Sequence, residues 1–124
     1  MRDTPGMLGR WGENLAAEFI REKSYNIVGM GFHTRFGEID IISENKNFIV
    51  FSEVKLRKNA DFGEACEFVD RRKRRRIIAS AKQWLLYNET KKQPRFDIIE
   101  IYAPEGMLTA SPRINHIENA FSEE

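Results

Sequence analysis

The sequence is poor in the residues that form disulfides and zinc sites. It contains one cysteine, Cys66, and two histidines among its 124 residues. A single cysteine cannot form a disulfide within the chain, and the scarcity of histidine and cysteine argues against a zinc centre. Cys66 lies among polar residues without a base beside it, which favours a small packing residue over a nucleophile.

The sequence also lacks a long hydrophobic run. No apolar stretch approaches the roughly 20 residues that span a bilayer, and the start, MRDTPGMLGRWGE, has no apolar segment between a basic stretch and a cleavage site. We therefore expect a cytoplasmic protein that does not insert into membranes. Its length and its 41% hydrophobic content predict one domain over residues 1–124, with flexible ends at 1–6 and 119–124.

Charge is small in sum but uneven along the chain. The net charge of +1 gives no global attraction to nucleic acid, yet residues 71–76 are all Lys or Arg. Six consecutive helical residues cover more than one turn, so only some of them can face one partner. A solvated helix face is the ordinary interpretation. The alternative is a set of contacts to a nucleic-acid backbone, for which the candidates are Lys73, Arg57, Arg71, Arg72, Arg74 and Arg75.

The hydrophobic periodicity predicts alternating helices and strands. Trp11 and Trp84 fall on the core stripes of two helices, while Gly29 and Gly31 indicate an edge or irregular first strand. This order predicts a single α/β domain with a central mixed sheet flanked by helices. The predicted elements are helices over about 7–23 and 77–88, with the basic run in the first turns of the second, and strands over 25–34, 37–42, 48–55, 96–102 and 113–117.

The strands at 37–42 and 48–55 form a predicted antiparallel hairpin with charged residues on one face. Side chains on a strand alternate, so Glu38 and Asp40 share a face, as do Glu53 and Lys55. If the turn centres on residues 46–47, Asp40 lies opposite Glu53 and Glu38 opposite Lys55. The hairpin then collects three carboxylates and one ammonium in a single patch.

Such a patch favours a bound divalent cation. Two ionised carboxylates about 5 Å apart repel by roughly 3 kcal/mol at an effective dielectric constant near 20, and one lysine cannot neutralise three of them. Carboxylate oxygens suit Mg²⁺ or Mn²⁺, which polarises a phosphodiester and lowers the pKa of bound water. Lys55 would then position or deprotonate that water, or offset charge on the phosphate. The alternative is a solvated sheet face with weak cross-strand ion pairs.

Two further carboxylates are candidates with open alternatives. Glu13 lies in a helix stripe with small neighbours, so it can approach another element, but it can also be a surface carboxylate favoured by the helix dipole. Glu38 either takes part in the site or forms a simple ion pair with Lys55.

Several short motifs occur together in a recognisable order and spacing. They are Gly9-x-x-Gly12-Glu13, Gly37-Glu38-Ile39-Asp40-Ile41-Ile42, Phe51-Ser52-Glu53-Val54-Lys55-x-Arg57, Phe62-Gly63, Lys73 and Arg95-Phe96-Asp97. Together these motifs resemble the YraN-like family, predicted nucleases built around a PD-(D/E)xK metal site.

The resemblance implies a restriction-endonuclease-like fold, similar to archaeal Holliday-junction resolvases. It implies a metal-dependent endonuclease in which Asp40, Glu53 and the Val54 carbonyl bind Mg²⁺ or Mn²⁺, Lys55 is the motif lysine and Glu13 joins the metal set. Branched or otherwise structured DNA is the implied substrate, and a two-fold homodimer is the implied assembly. Two other functions stay open: a non-catalytic nucleic-acid-binding protein with the same fold, and a protein-interaction module.

Overall fold

The computed structural model describes residues 6–58 and 70–123 as an α/β structure. Cys66 and the motif residues Phe62 and Gly63 lie outside the described residues. Neither helix in the described ranges combines the length and apolarity that a membrane crossing requires. The elements are α1 (Met7–Glu22), β1 (Asn26–Thr34), β2 (Gly37–Glu44), β3 (Phe48–Arg57), α2 (Arg71–Tyr87), β4 (Gln93–Tyr102), a short 3₁₀ helix (Gly106–Leu108) and β5 (Arg113–Phe121).

The five strands form one mixed sheet in the order β1-β2-β3-β4-β5. Neighbouring strands are antiparallel except for β3 and β4, which are parallel because α2 lies in the connection between them. The predicted mixed sheet flanked by helices is therefore confirmed, and this architecture is consistent with a restriction-endonuclease-like fold.

The two helices pack against opposite faces of the sheet. Along β3, Val50 joins the core cluster beneath α1, whereas Ile49 and Phe51 join the cluster beneath α2. Because strand side chains alternate, Glu53 and Lys55 continue the α2 face towards the end of β3. Both predicted core tryptophans pack on these clusters, Trp11 on the α1 side and Trp84 on the α2 side.

The outer strands are less regular than the central ones. β1 is an edge strand with a register shift between Ile27 and Gly29, as its glycines predicted. β4 begins earlier than predicted, with Pro94 as its second residue, a position where a strand tolerates the missing N–H. β5 runs to Phe121, beyond the predicted end at Ile117, and the Phe121 ring stacks on a core phenylalanine at 5.3 Å.

A buried ionic network joins β4 to β5 on the α1 side. Arg95 donates two hydrogen bonds to Asp97 at 2.9 and 2.8 Å and a third to the Tyr25 hydroxyl. His116 Nε2 lies 2.7 Å from Asp97 Oδ2, and the Asn119 N–H also donates to Asp97. Burial alone would raise the pKa of Asp97, but these hydrogen bonds outweigh it and hold the pKa below its usual value. His116 is thus a buried partner of a carboxylate.

Candidate metal centre

The Asp40 carboxylate lies where β2 and β3 stop pairing. The ladder runs from Glu44 opposite Ile49 to Ile41 opposite Ser52, which is the register that the sequence predicted. Asp40 and Glu53 would be the next pair. Instead of continuing the ladder, Asp40 Oδ2 accepts a hydrogen bond from the Val54 N–H at 2.8 Å. The bond fixes the carboxylate beside β3.

Glu53 is a buried carboxylate with two ammonium groups beside it. Its side chain is 7% exposed, and Oε1 lies 3.5 Å from Lys55 Nζ and 3.4 Å from Lys73 Nζ. Lys55 comes from the same strand face, while Lys73 comes from the first turn of α2. That turn begins at Asp70, whose side chain accepts a hydrogen bond from the Lys73 N–H at 2.8 Å. Two elements therefore place positive charge on one carboxylate.

Asp40 carries the largest electrostatic perturbation in the centre. Burial, and then the negative charge of Glu53, raises the pKa of Asp40 from 3.8 to about 7. The Val54 N–H opposes this rise, and the charges of Glu13 and Glu38 add to it. Four carboxylates therefore act on one another here, and ionised Asp40 lacks sufficient positive charge around it.

Glu13 reaches the centre from α1 because the helix lies very close to β3. A Cβ at Gly12 would be 3.1 to 3.3 Å from three side-chain carbons of Leu56, so the glycine permits this approach. Burial, followed by the charges of Glu38 and Glu53, raises the pKa of Glu13, while Arg10 lowers it. The small-residue stripe thus predicted the proximity of Glu13 to another element.

Glu38 and Lys55 have different partners from the predicted cross-strand pair. Glu38 Oε1 lies 3.5 Å from His33 Nε2, its cross-strand neighbour on β1. In the described part of the chain, Lys55 and Lys73 both form ion pairs with Glu53, and Glu38 contacts His33 instead of Lys55. The His33 contact was missed from the sequence, although the short turn between β1 and β2 could have indicated it.

The donor chemistry of the centre fits Mg²⁺ or Mn²⁺. Within residues 6–58 and 70–123, no group of three or more His, Cys, Asp or Glu side chains is arranged to hold a metal ion. Mg²⁺, however, is commonly bound by one or two carboxylates, with waters and substrate phosphates completing the shell. Asp40 and Glu53 meet that requirement, and the ionised form of Asp40 would be stabilised by a cation.

The basic residues of α2 divide among several surfaces, as the helical geometry requires. Lys73 faces Glu53, whereas Arg71 and Arg74 line a groove beside the end of β5. Arg72 lines a separate groove at the turn between β1 and β2, and Arg75 lines both. Arg57 is half-buried at the end of β3. Positive charge therefore extends from the centre along both sides of α2.

Comparison with known proteins places most of the chain in one group. The family model described as "Uncharacterised protein family UPF0102" matches residues 12–101. A UPF0102 protein of Caldanaerobacter subterraneus subsp. tengcongensis is 43% identical over 115 residues, covering 92% of this chain and 93% of the relative. A UPF0102 protein of Clostridioides difficile is 40% identical over 114 residues, covering 91% and 95%. One from Flavobacterium psychrophilum is 34% identical over 114 residues, covering 92% of each chain.

Proposed function

The chain belongs to the UPF0102 family, the YraN-like group that its motifs resemble, and from its centre we propose that it is a metal-dependent endonuclease hydrolysing phosphodiester bonds in DNA. The observation that carries this proposal is the arrangement of Asp40 and Glu53. One carboxylate is fixed on the Val54 N–H and the other is buried between two lysines. Charges of this kind are expensive to bury without a function that uses them.

Each residue has a chemical role in such a reaction. Mg²⁺ or Mn²⁺, when bound through Asp40, Glu53 and the Val54 carbonyl, supplies polarisation of the phosphodiester and a lower pKa for the attacking water. The Val54 N–H keeps Asp40 in place. Lys55 positions the water or offsets the negative charge that develops on the phosphate. Lys73 orients Glu53 from the other side.

Hydrolysis balances without a further co-reactant. The water oxygen forms the new bond to phosphorus, and the bond from phosphorus to the leaving sugar oxygen breaks. The water releases one proton and the leaving oxygen takes one up. Two cations of the chain lie beside the proposed reaction, Lys55 at 3.5 Å and Lys73 at 3.4 Å from Glu53. Glu13 and Glu38 add negative charge around the cation and strengthen its attraction to the centre.

The arginines of α2 support DNA as the substrate. Arg71, Arg72 and Arg75 are exposed on the helix whose first turn carries Lys73 into the centre. Arginine side chains that neutralise phosphates provide affinity without reading sequence. We expect the helix to hold a DNA backbone beside the scissile bond. The preference for branched DNA and the two-fold homodimer follow by analogy with resolvases and belong to the same proposal.

The test is cleavage of labelled linear, nicked, flapped and four-way-junction DNA in the presence of Mg²⁺ or Mn²⁺. The variants Asp40→Asn and Lys55→Ala should lose at least roughly 100-fold in rate, as expected when charge stabilisation or acid–base function is removed. Matched controls are Glu89→Gln and Lys91→Ala, which change exposed charges near the other end of the sheet.

The outcomes separate the candidate functions. Metal-dependent cutting that both variants abolish, and both controls retain, supports the nuclease and identifies its preferred DNA shape. Cutting that survives both substitutions contradicts the catalytic roles. Tight, salt-sensitive DNA binding without cleavage favours a non-catalytic binding protein, whereas absence of binding favours a protein-interaction module.

A further inference from the structure

Two adjoining grooves lie on the outer side of α2, next to the turn between β1 and β2. The first, which we call the arginine groove, has a volume of about 490 Å³ and is lined by Arg35, Phe36, Arg72, Arg75, Arg76 and Ala79. The second, which we call the apolar groove, is lined by the same turn and by Leu85, Leu86 and Tyr87. Phe36 and Arg35 line both grooves, so the two surfaces are continuous.

The arginine groove is strongly and uniformly positive. Its four guanidinium groups, Arg35, Arg72, Arg75 and Arg76, belong to exposed residues, and no acidic residue is among those that line it. In the described ranges, none of the four forms an ion pair with a carboxylate. Unpaired arginines close together repel one another, and an anionic ligand relieves that repulsion.

Aromatic rings are exposed beside these charges. Phe36 is 38% exposed and Tyr87 is 80% exposed, while the Arg35 guanidinium lies 4.8 Å from the Phe36 ring centroid. Single-stranded nucleic acid is bound by surfaces that combine a positive groove with aromatic rings, because phosphates pair with the charges and unpaired bases stack on the rings. The bases of a duplex are paired and are therefore not available to stack on such rings.

The turn that carries Phe36 is fixed by hydrogen bonds. Thr34 Oγ1 accepts from the Phe36 N–H at 3.0 Å and from the Gly37 N–H at 3.2 Å. The same oxygen lies 2.8 Å from Ser80 Oγ, which is buried in α2. The turn backbone that carries Phe36 is therefore tied to the helix that carries three of the four arginines.

We propose that the arginine groove and Phe36 bind an unpaired nucleic-acid strand, with phosphates on Arg35, Arg72, Arg75 and Arg76 and one base stacked on the Phe36 ring. The inference rests on the proposed function for its ligand class and needs no bound metal. β2 leads from this turn directly to Glu38 and Asp40, so a strand held here lies next to the candidate metal centre. The nuclease would then act at a junction between paired and unpaired DNA.

The test compares two labelled oligomers of equal length by fluorescence anisotropy in a chelating buffer. One is oligothymidylate and the other is an abasic strand with the same number of phosphates. Phe36→Leu should weaken binding of oligothymidylate about 10-fold, as loss of base stacking predicts, and leave binding of the abasic strand unchanged. The double variant Arg72→Gln, Arg75→Gln should weaken the binding of both oligomers. It should also reduce the salt slope, which is the slope of the logarithm of the binding constant against the logarithm of the salt concentration, by about 1.4, or roughly 0.7 for each phosphate contact.

Matched controls lie at other parts of the surface. Lys46→Gln combined with Lys91→Gln removes two exposed charges at the opposite end of the sheet, and Leu108→Ala removes an exposed apolar side chain. Neither should change either titration. If Phe36→Leu does not fold, Phe36→Met provides the same comparison, because it also removes the ring and keeps an apolar side chain.

Equal losses on the two oligomers, or no loss on either, would overturn the proposal. An unchanged salt slope in the double arginine variant would overturn it as well, and failure of both oligomers to bind would indicate a protein ligand instead. These titrations contain no divalent ion. If the protein binds these oligomers as expected but does not cleave DNA, only the proposed nuclease function is contradicted. If it cleaves DNA but Phe36→Leu affects both oligomers equally, only this inference is contradicted.

Discussion

Asp40 is a carboxylate that the fold makes difficult to ionise. It lies beside three other acidic groups, and its compensation from the backbone is one hydrogen bond from Val54. In the absence of a cation, its ionised form therefore destabilises the folded state relative to the unfolded chain, where the same carboxylate is hydrated.

The first prediction is that Asp40→Asn stabilises the metal-free protein at alkaline pH. The folded pKa of about 7 exceeds the ordinary value of 3.8, so between these values the folded state binds more protons and stability falls as pH rises. Asparagine removes this penalty, and its amide oxygen can still accept from the Val54 N–H. At about pH 8, urea unfolding in a chelating buffer should give a free energy up to about 4 kcal/mol above wild type, because each unit of the pKa shift corresponds to roughly 1.4 kcal/mol.

The difference should vanish near pH 4, where Asp40 is protonated in the folded state. Glu89→Gln, which changes an exposed carboxylate, is the control and should shift neither value. An Asp40→Asn variant less stable than wild type at about pH 8 would contradict the assignment of the buried charge.

At the scale of single residues, the sequence predicted those neighbours that follow from the alternation of side chains along a strand. The register that brings Asp40 next to Glu53 follows from the hairpin turn, and the ladder confirms it. The sequence did not predict that Lys73 lies 3.4 Å from Glu53, because that contact depends on how α2 packs on the sheet. Propensity and spacing contain no information about such long-range placement.

Among the helices and strands, α1 lies close to β3, and this contact places Glu13 near the candidate metal centre. Gly12 packs directly on Leu56, whereas a Cβ added at Gly9, on the same helix, would meet no other element within 4 Å in the described part of the chain. The two glycines therefore offer a matched pair in which the same substitution meets different surroundings.

The second prediction is that Gly9→Ala and Gly12→Ala have opposite consequences. Alanine has a helix propensity up to about 1 kcal/mol better than glycine, so Gly9→Ala should raise the free energy of unfolding by a few tenths to 1 kcal/mol. Gly12→Ala must displace Leu56 or α1, which should cost about 1–2 kcal/mol beyond that gain. Because the shift moves Glu13, Gly12→Ala should also weaken metal-dependent activity, while Gly9→Ala should not.

Chemical denaturation and the cleavage assay together check this prediction. Equal stabilisation by both substitutions, with equal activity, would mean that the helix does not need to approach β3 closely. The sequence predicted the extent of α1 and the stripe of small residues. It did not predict the end of β5, because the burial of Phe121 depends on its stacking against Phe96, a partner far away in the chain.

The molecule as a whole contains two ionic centres with opposite responses to pH. At the candidate metal centre, the pKa values of Asp40 and Glu13 are raised, so their ionisation opposes folding. In the network between β4 and β5, the pKa of Asp97 is lowered, so its ionisation favours folding. The two centres consist of different residues, and in the described part of the chain no ion pair joins one to the other, so their effects should combine independently.

The third prediction is that metal-free stability passes through a maximum near about pH 4, between a fall on the acid side and a fall on the alkaline side. Below the usual aspartate pKa of 3.8, stability falls as Asp97 takes up a proton and leaves Arg95 buried without its counter-ion. From about pH 4 to about pH 7, stability falls because the unfolded chain releases the Asp40 proton that the folded state retains. Thermal unfolding measured in a chelating buffer from about pH 2 to about pH 8 should show the loss of stability on both sides of the maximum.

Millimolar Mg²⁺ should raise the stability on the alkaline side of the maximum and leave the stability on the acid side unchanged, because a cation binds ionised Asp40 and not its protonated form. At a concentration 100 times the dissociation constant, the expected gain is about 2.7 kcal/mol. Asp40→Asn should lose most of this gain while keeping the fall in stability on the acid side, which depends on Asp97. Equal stabilisation of wild type and variant by Mg²⁺, or a gain that does not depend on pH, would place the cation elsewhere on the molecule.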